Sequence, residues 1–237
     1  MNRLSVLQKI IDRVKAKTYL EIGVQTGVII SNINAAVKIG VDPNFLLSKK
    51  LKLRKLVGLL DFKAIEKTSD AFFESDADSV LKSGIDVAFI DGHHTYNQSL
   101  KDAQNCLAYL NPSGVIVMHD CNPNNYACAY PISDSGSVDD VIKLAEAGEL
   151  PGWNGSWSGD VWKAIVHLRM ANQNLNIFTL DLDWGLGIIT RGKGRPVSDI
   201  SVGELQKMDY WTLENNREVL LNLKHPKYLE EFLKQIK

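Results

Sequence analysis

Short apolar runs alternate along this chain with longer segments whose apolar residues recur at helical spacing. Near the N-terminus, Leu4, Leu7, Ile10, Ile11 and Val14 fall on one stripe, which predicts an amphipathic helix. Five later runs have the length of buried strands and lie at 19–21, 37–41, 62–66, 86–91 and 115–118. Helical patterns separate these runs, and strands that alternate with helices predict a parallel sheet.

The pattern changes after residue 170. Apolar runs at 177–182 and 186–190 are joined by Asp183, Trp184 and Gly185, which predicts a tight antiparallel pair. We therefore expect an α/β fold: a Rossmann-like, seven-stranded, mostly parallel sheet with an antiparallel last strand, helices on both faces, and extra N- and C-terminal helices. A single domain is expected over 1–237, with its core at about 15–190 and a helical extension at 203–237.

The first strand leads into a turn that carries two glycines, Gly23 and Gly27. Glycine is needed where the backbone takes a positive φ or approaches a ligand without a Cβ in the way. This turn predicts a binding site for a nucleotide-like ligand. A tight turn with a purely structural role would have the same pattern.

Two later strand ends also carry polar side chains. Asp42 closes the second strand, where nucleotide-binding folds present a carboxylate to a ribose, although an aspartate before a proline is also common in turns. Thr68, Ser69 and Asp70 follow the third strand and can cap the helix that begins there. Ser69 and Asp70 are also candidates for contact with the base of the ligand.

The fourth and fifth strands deliver carboxylates to one sheet edge. Asp91 ends the fourth strand, and Asp120 follows the fifth after His119. In open α/β sheets, ligands bind in the crevice beyond the carboxyl ends of the strands. This spacing indicates that the chemistry of the protein takes place at the edge that carries Asp91 and Asp120.

Composition narrows the class of protein. The net charge is −1 at pH 7, which gives no reason to expect nucleic acid as a partner. No apolar run is long enough to span a membrane, and the N-terminal stripe is not a signal peptide. Three cysteines without CxxC spacing argue against a disulfide framework and a structural zinc site, so we expect a reducing, cytoplasmic setting.

Two further segments allow alternative interpretations. Five cations between residues 49 and 55 predict either a solvated helix face or a surface that guides anionic substrates. The segment 121–160 is rich in Asn, Pro, Gly, Ser and Trp, which is typical of a lid or substrate loop. Its tryptophans, with nearby Trp162, could line a pocket or pack against the sheet.

These motifs resemble those of class I S-adenosylmethionine-dependent methyltransferases. Within that class the chain is similar to the macrocin and rhamnosyl O-methyltransferase branch, which shares its plan with catechol O-methyltransferases. The resemblance rests on the glycine turn, on Asp42, on the Ile-Asp-Gly-His-His-Thr-Tyr stretch at 90–96 and on the His-Asp pair at 119–120. It implies that S-adenosylmethionine is the cofactor. The cofactor contacts it implies are Glu21, Gly23, Val24, Gln25, Gly27, Asp42, Ser69, Asp70, Asp91, Gly92, His93 and Tyr96.

The resemblance also implies methyl transfer to a hydroxyl of a small molecule or sugar. His94 lies three residues after Asp91, where metal-dependent relatives place a general base, and an imidazole suits proton transfer near neutral pH. Asp91 and Asp120 offer oxygen ligands for Mg²⁺ or a similar divalent cation. We expect His94, Asp91 and Asp120 to be catalytic, although Cys121 stands where such relatives place an oxygen ligand.

Other functions share part of this pattern. A nicotinamide-dependent oxidoreductase has a similar glycine turn and acidic second strand, but it does not need two carboxylates at strand ends. A relative that binds the cofactor without catalysis is a third alternative, and Cys121 would then mark a lost metal site. A soft-metal site of His93, His94, His119 and Cys121 lacks zinc spacing. The sequence leaves the oligomeric state open, with a homo-oligomer as one alternative.

Overall fold

The structure is a computed structural model, and it describes residues 1–197 and 200–236. Two compact units divide the chain. The first unit contains Met1–Gly92, Asp102–Val117 and the C-terminal segment from Leu229, and the second contains His93–Lys101 and Met118–Tyr228. Within the described residues, no helix combines the length and apolar character needed to cross a membrane.

In the first unit, strands and helices alternate as the sequence predicted. The strands are β1 (Thr18–Ile22), β2 (Val37–Val41), β3 (Lys63–Ile65), β4 (Ile85–Ile90) and β5 (Leu110–Met118), in the sheet order β3-β2-β1-β4-β5. The helices are α1 (Arg3–Val14), α2 (Val28–Asn32), α3 (Lys49–Leu56), α4 (Ser69–Ser75), α5 (Ala77–Val80), α6 (Tyr96–Tyr109), which continues from the second unit, and the last helix of the chain (Tyr228–Gln235).

The register of β1 aligns the ends of three strands. Ile22 lies opposite Val41 of β2 and opposite Ile90 of β4, and both pairings are parallel. All five residues of β1 are buried, as expected for a strand covered on both faces. The residues after these strands, Gly23, Asp42 and Asp91, therefore begin at the same level of the sheet.

The helix α2 ends at Asn32, and a buried lysine binds the carbonyls near its end. Lys38 is 8% exposed, and its ammonium donates to the carbonyls of Ile30 and Ile33 and to the Asp61 carboxylate. These acceptors match the three donors of an ammonium group, so the buried charge is fully hydrogen-bonded. The two carbonyls at the end of the helix are satisfied by a side chain instead of by a further helical turn.

In the second unit, the predicted hairpin is present. Its strands, β6 (Leu175–Leu180) and β7 (Leu186–Arg191), pair antiparallel, and the turn holds Asp183, Trp184 and Gly185 at positive φ. The other elements are α7 (Val138–Glu146), α8 (Trp162–Ala171), α9 (Val202–Lys207), α10 (Tyr210–Leu221) and β8 (Leu223–Lys224). We number the last helix of the chain α11. The predicted extension is helical apart from β8, and its final residue, Lys237, lies outside the described residues.

The segment 121–160 builds a small core of its own. Ala127, Val141 and Leu150 are buried together, and Trp153 and Trp157 pack against them. Trp162, the third tryptophan, is 1% exposed. The segment is a packed structure around α7. Of the two alternatives for the tryptophans, Trp162 agrees with the one in which they are buried.

The predicted fold class is confirmed: the chain is a mixed α/β protein of the Rossmann-like type. β1 pairs in parallel with β2 and β4, β2 pairs in parallel with β3, and the antiparallel pair comes late in the chain. The described residues contain eight strands, against seven expected. The additional strand is β8, whose two residues pair with the end of β6 and are too few to produce a periodic pattern. The single domain over 1–237 stays a prediction.

Gly23 is required by the backbone of the first unit. Its φ is +84°, and a Cβ built there would lie 2.0 Å from the carbonyl oxygen of Asp91. The turn glycine was predicted to make room for a ligand, and the structure adds a second cause, which is the close approach of two chain segments after β1 and β4.

We expect Gly23→Ala to lower the free energy of unfolding by about 3 kcal/mol or more, because it combines a left-handed φ with a backbone clash. Gly58→Ala is the matched control in the same unit, since Gly58 has φ +69° and nothing within 4 Å of its Cβ position. That variant should lose about 1 kcal/mol. Urea unfolding measures both, and equal losses would contradict the clash.

Candidate functional site

The glycine turn is held by a carboxylate. Asp42 Oδ2 accepts hydrogen bonds from the backbone amides of Val24 and Gln25, each at 2.8 Å, and Oδ1 accepts from Asn44 at 2.7 Å. Gln25 takes φ 44° and Gly27 φ 75°, both in the left-handed region. Asp42, which is 8% exposed, fixes a turn that includes a strained non-glycine residue.

The sequence left two roles open for Asp42, a ribose contact and a turn residue before a proline. The structure shows that loop amides engage both carboxylate oxygens, which is a turn role. A carboxylate offers about four lone-pair sites, so Oδ1 has capacity for one more donor. Ribose contact by Asp42 stays a prediction, now combined with an observed structural role.

Glu21 is a buried acid in the middle of the first unit, with 1% exposure. The Tyr19 hydroxyl donates to Glu21 Oε2 at 2.6 Å. Burial raises the pKa of Glu21 to about 8, the Tyr19 hydrogen bond opposes the shift, and the negative charge of Asp91 adds to it. At neutral pH the folded protein therefore holds a proton on Glu21.

The other candidates of the first unit follow strand ends as predicted. The Asp91 amide donates to the Ile22 carbonyl at 2.9 Å, which extends the β1–β4 ladder by one residue. A Cβ on Gly92 would only touch Ile22 and Asp102. Ser69 and Asp70 open α4, and the cap is the preceding Thr68, whose hydroxyl accepts from the Ala71 amide. Contact of Ser69 or Asp70 with a base stays a prediction.

In the second unit, the candidate Asp120 has hydrogen-bond partners on both carboxylate oxygens. It is 4% exposed and takes φ 61°. The Ser158 hydroxyl donates to Oδ1 at 2.6 Å, and His119 Nδ1 lies 2.7 Å from Oδ2. A carboxylate oxygen accepts, so His119 carries its proton on Nδ1 in this contact. Asp120 is held rigidly by two neighbours, and one of them is 38 residues away in sequence.

His94 points its two ring nitrogens at two acceptors. Nδ1 lies 2.9 Å from the Trp157 carbonyl oxygen, and Nε2 lies 3.3 Å from Asp120 Oδ2. A carbonyl only accepts, so Nδ1 is the donor and a neutral ring would present the Nε2 lone pair to a carboxylate. That contact is favourable only when a proton or a cation is shared between Nε2 and Oδ2.

His93 and Tyr96, predicted to contact the cofactor, also lie in the second unit. His93 Nε2 is buried and has no hydrogen-bond partner within the described residues. The Tyr96 amide donates to Asp160 Oδ1 at 2.7 Å, and its hydroxyl lies 2.5 Å from His167 Nδ1. Burial, and then the charge of Asp160, raise the pKa of Tyr96, so its hydroxyl stays protonated. The buried His93 Nε2, which has no partner within the described residues, is suited to a hydrogen bond with a ligand.

A cavity of about 480 Å³ opens beside the β6–β7 turn. Its lining includes Asp181, Asp183, Trp184 and Arg217, so it combines charged groups with one half-exposed indole. Asp183 Oδ1 lies 3.9 Å from His119 Nε2, and the Trp184 ring meets the His119 ring edge-on. The cavity therefore borders the histidine that binds Asp120.

Cys121 is not directed outward as a ligand would be. It is fully buried, and its thiol lies 3.4 Å from the carbonyl oxygens of Met118 and His119. A thiolate is also a poor ligand for a hard cation such as Mg²⁺.

Several site residues had no signal in the sequence. Ser158 and the Trp157 carbonyl come from the loop that follows α7, and nothing in their local pattern links them to Asp120 or His94. Tyr19 lies in an apolar strand, where an aromatic residue is typical of core packing. Asp183 was noticed only as a turn residue.

Comparisons with known proteins identify the type of domain. Residues 20–121 match a family model described as a methyltransferase domain. No curated protein sequence matches the chain. Among solved structures, a candidate O-methyltransferase from Klebsiella pneumoniae aligns with TM-score 0.53 and 12% identity over 80% of each chain. A candidate caffeoyl-CoA O-methyltransferase from Staphylococcus aureus aligns with TM-score 0.52 and 19% identity, over 81% of this chain and 85% of its own. At these identities the structural matches show the fold.

The proton on Glu21 predicts a pH dependence of stability. Between about pH 4.5 and about pH 8 the folded state binds a proton that the unfolded chain has released, so stability falls as pH rises through that window. We expect Glu21→Gln to flatten this part of the curve, because the amide oxygen still accepts from Tyr19 and no proton is exchanged. Denaturant unfolding from pH 5 to pH 8 measures the slope.

Glu74→Gln is the control, since Glu74 is an exposed acid in the same unit. Its curve should keep the wild-type slope. A Glu21→Gln curve parallel to wild type would show that Glu21 does not hold the proton.

Proposed function

We propose that this chain, whose residues 20–121 match a methyltransferase domain, transfers the methyl group of S-adenosylmethionine to a hydroxyl oxygen of a small molecule or sugar. A methyltransferase domain was predicted from the motifs, and the match over those residues agrees with it. The observation that carries the finer proposal is the contact of His94 Nε2 with Asp120 Oδ2 at 3.3 Å, which supplies a proton acceptor backed by a carboxylate.

The cofactor side of the proposal uses the predicted set of residues around the glycine turn. When bound, S-adenosylmethionine supplies an electrophilic methyl group on a sulfonium centre. Two observations fit such a ligand: the Asp42-fixed turn, and the buried His93 Nε2 that lacks a partner in the described part of the chain. The full set of proposed contacts is Glu21, Gly23, Val24, Gln25, Gly27, Asp42, Ser69, Asp70, Asp91, Gly92, His93 and Tyr96.

We propose that His94 accepts the proton of the acceptor hydroxyl at Nε2. The Trp157 carbonyl holds Nδ1–H and so fixes the tautomer that leaves Nε2 basic. After proton uptake the imidazolium lies beside Asp120 Oδ2, which stabilises the new positive charge. Ser158 and His119 act as positioning residues because they orient the Asp120 carboxylate.

A divalent cation, Mg²⁺ or similar, is proposed at Asp91 and Asp120. Both carboxylates follow adjacent strand ends in the sequence, and carboxylate oxygens are the ligands that hard cations prefer. His94 Nε2 and Asp120 Oδ2 face each other as two acceptors, and this arrangement suits a nearby cation as well as a shared proton. Such an ion would lower the pKa of a bound hydroxyl and orient it.

The acceptor is proposed to enter beside the β6–β7 turn. The lining of that cavity combines carboxylates, a guanidinium and an indole, which suits a polar, hydroxylated molecule. Neither nucleic acid nor a membrane is proposed as a partner. A reducing, cytoplasmic setting is proposed because all three cysteines are free and buried.

The cofactor proposal predicts binding of both S-adenosylmethionine and its demethylated product to the wild-type chain in calorimetry, with affinities in the micromolar range. Asp42→Ala should weaken cofactor binding by about tenfold or more. The substitution removes the acceptor of the Val24 and Gln25 amides and so releases the turn that is proposed to contact the cofactor. NADH is the control ligand and should give no heat. Binding of NADH in place of S-adenosylmethionine would favour the oxidoreductase alternative.

The catalytic proposal predicts loss of turnover with retention of fold. His94→Ala should lower kcat by about 100-fold or more, the usual contribution of a general base. Asp91→Ala should abolish turnover, and a chelator should abolish the wild-type activity. His225→Ala is the control, since His225 is an exposed histidine of the second unit, and it should keep wild-type kcat.

These outcomes separate the parts of the mechanism. Turnover that persists in the presence of the chelator would contradict only the proposed metal. An unchanged kcat in His94→Ala would contradict the proposed general base. Cofactor binding without turnover on a broad panel of hydroxyl compounds would favour the non-catalytic alternative.

A further inference from the structure

The basic segment at 49–55 has no role in the proposed methyl transfer. In the structure it forms most of α3, an eight-residue helix that carries five cations. The cations do not share one environment. Lys55 Nζ pairs with Glu66 at 3.2 Å and lies over the Phe45 ring, so its charge is already compensated.

Two of the other cations line a cavity. Lys50 and Arg54, four residues apart on one face of α3, border a space of about 370 Å³ in the first unit. Thr26 and Ser48 supply hydroxyl groups to the same lining, and Ser31 and Asn32 also border it, with side chains that donate to the carbonyls of Gly27 and Val28. Among the described residues, no carboxylate lines this cavity.

The arrangement is unfavourable for the helix alone. Like charges at i and i+4 repel each other, and neither gains a partner from the other. The Arg54 Nε donates to the Leu59 carbonyl at 3.0 Å, which fixes the plane of the guanidinium. Its terminal NH₂ groups then have a defined direction, as in sites that bind oxyanions through an arginine fork.

We propose that this cavity binds the phosphate group of a small phosphorylated molecule. A guanidinium, an ammonium and the hydroxyl groups of Thr26 and Ser48 match the charge and the acceptor oxygens of a phosphate dianion. The volume exceeds that of a phosphate alone, so part of the molecule that carries it also fits. The site is concave and has two cations, which suits a small ligand better than the extended surface of a nucleic acid.

The site stands apart from the proposed catalytic groups. Thr26 and Val28, on either side of Gly27, belong to its lining, so it adjoins the glycine turn from the α3 side. Its existence does not depend on which acceptor is methylated or on the presence of a metal. It assigns a function to the basic segment, for which the sequence left a solvated face as the alternative.

The test is a titration of the full chain with inorganic phosphate at about pH 7.5, where the dianion dominates, at ionic strength held constant with chloride. Amide shifts are followed by NMR. We expect saturable shifts at Thr26, Ser31 and Ser48, with a dissociation constant in the millimolar range or below. Shifts that do not saturate, or that chloride alone reproduces, would overturn the proposal.

Matched variants distinguish a site from general electrostatics. Lys50→Gln and Arg54→Gln should each weaken phosphate binding by about tenfold, since each removes a charged donor from the cavity. Lys52→Gln removes the same charge from an exposed position of the same helix that does not line the cavity, and it should leave affinity within about twofold. Equal weakening by all three variants would show screened attraction to a basic helix and no site.

Discussion

The continuation of the sheet ladder past the ends of its strands is the constraint on which the candidate site depends. The amides of Gly23, Asp42 and Asp91 still donate to Val41, Ile65 and Ile22 on neighbouring strands. Each residue that follows a strand is therefore held by the sheet before it leaves for a loop. Because the three strands end in register, a small change in the pairing of β1 would displace all three residues together.

The buried acidic residues of each unit have specific partners. The Asp42 carboxylate accepts hydrogen bonds from the turn amides. Glu21 keeps a proton and accepts a hydrogen bond from Tyr19, and Asp120 accepts from Ser158 and His119. An unpaired charge at any of these places would cost several kcal/mol. The same hydrogen bonds that make burial tolerable also fix the direction of each carboxylate, and so the preorganisation of the site follows from stability requirements.

The sequence was sufficient for elements whose signal is local. The strand runs, the helix after Thr68 and the hairpin through Asp183, Trp184 and Gly185 each depend on neighbouring residues, and each was located within a few positions. Asp91 and Asp120 could be selected because they follow strand ends, and His94 because it lies at the offset from Asp91 where the resembled relatives place a general base. Ser158 could not, since its contact with Asp120 depends on how forty residues of loop fold, and the second role of Asp42 depends on the exact path of the turn. The short strand β8 was missed because two residues carry no period.

The loop that follows α7 has one further consequence, for the divergence of this enzyme. Its consecutive residues Trp157 and Ser158 contact His94 and Asp120, and the amides of Ser158 and Gly159 both donate to the Cys128 carbonyl. A Cβ on Gly159 would lie 1.9 Å from the His94 carbonyl oxygen, so this position tolerates only glycine. Substitutions that leave these contacts intact are thus confined to the stretch between the two anchors, 129–156, and within it to positions outside the core of Val141 and Leu150.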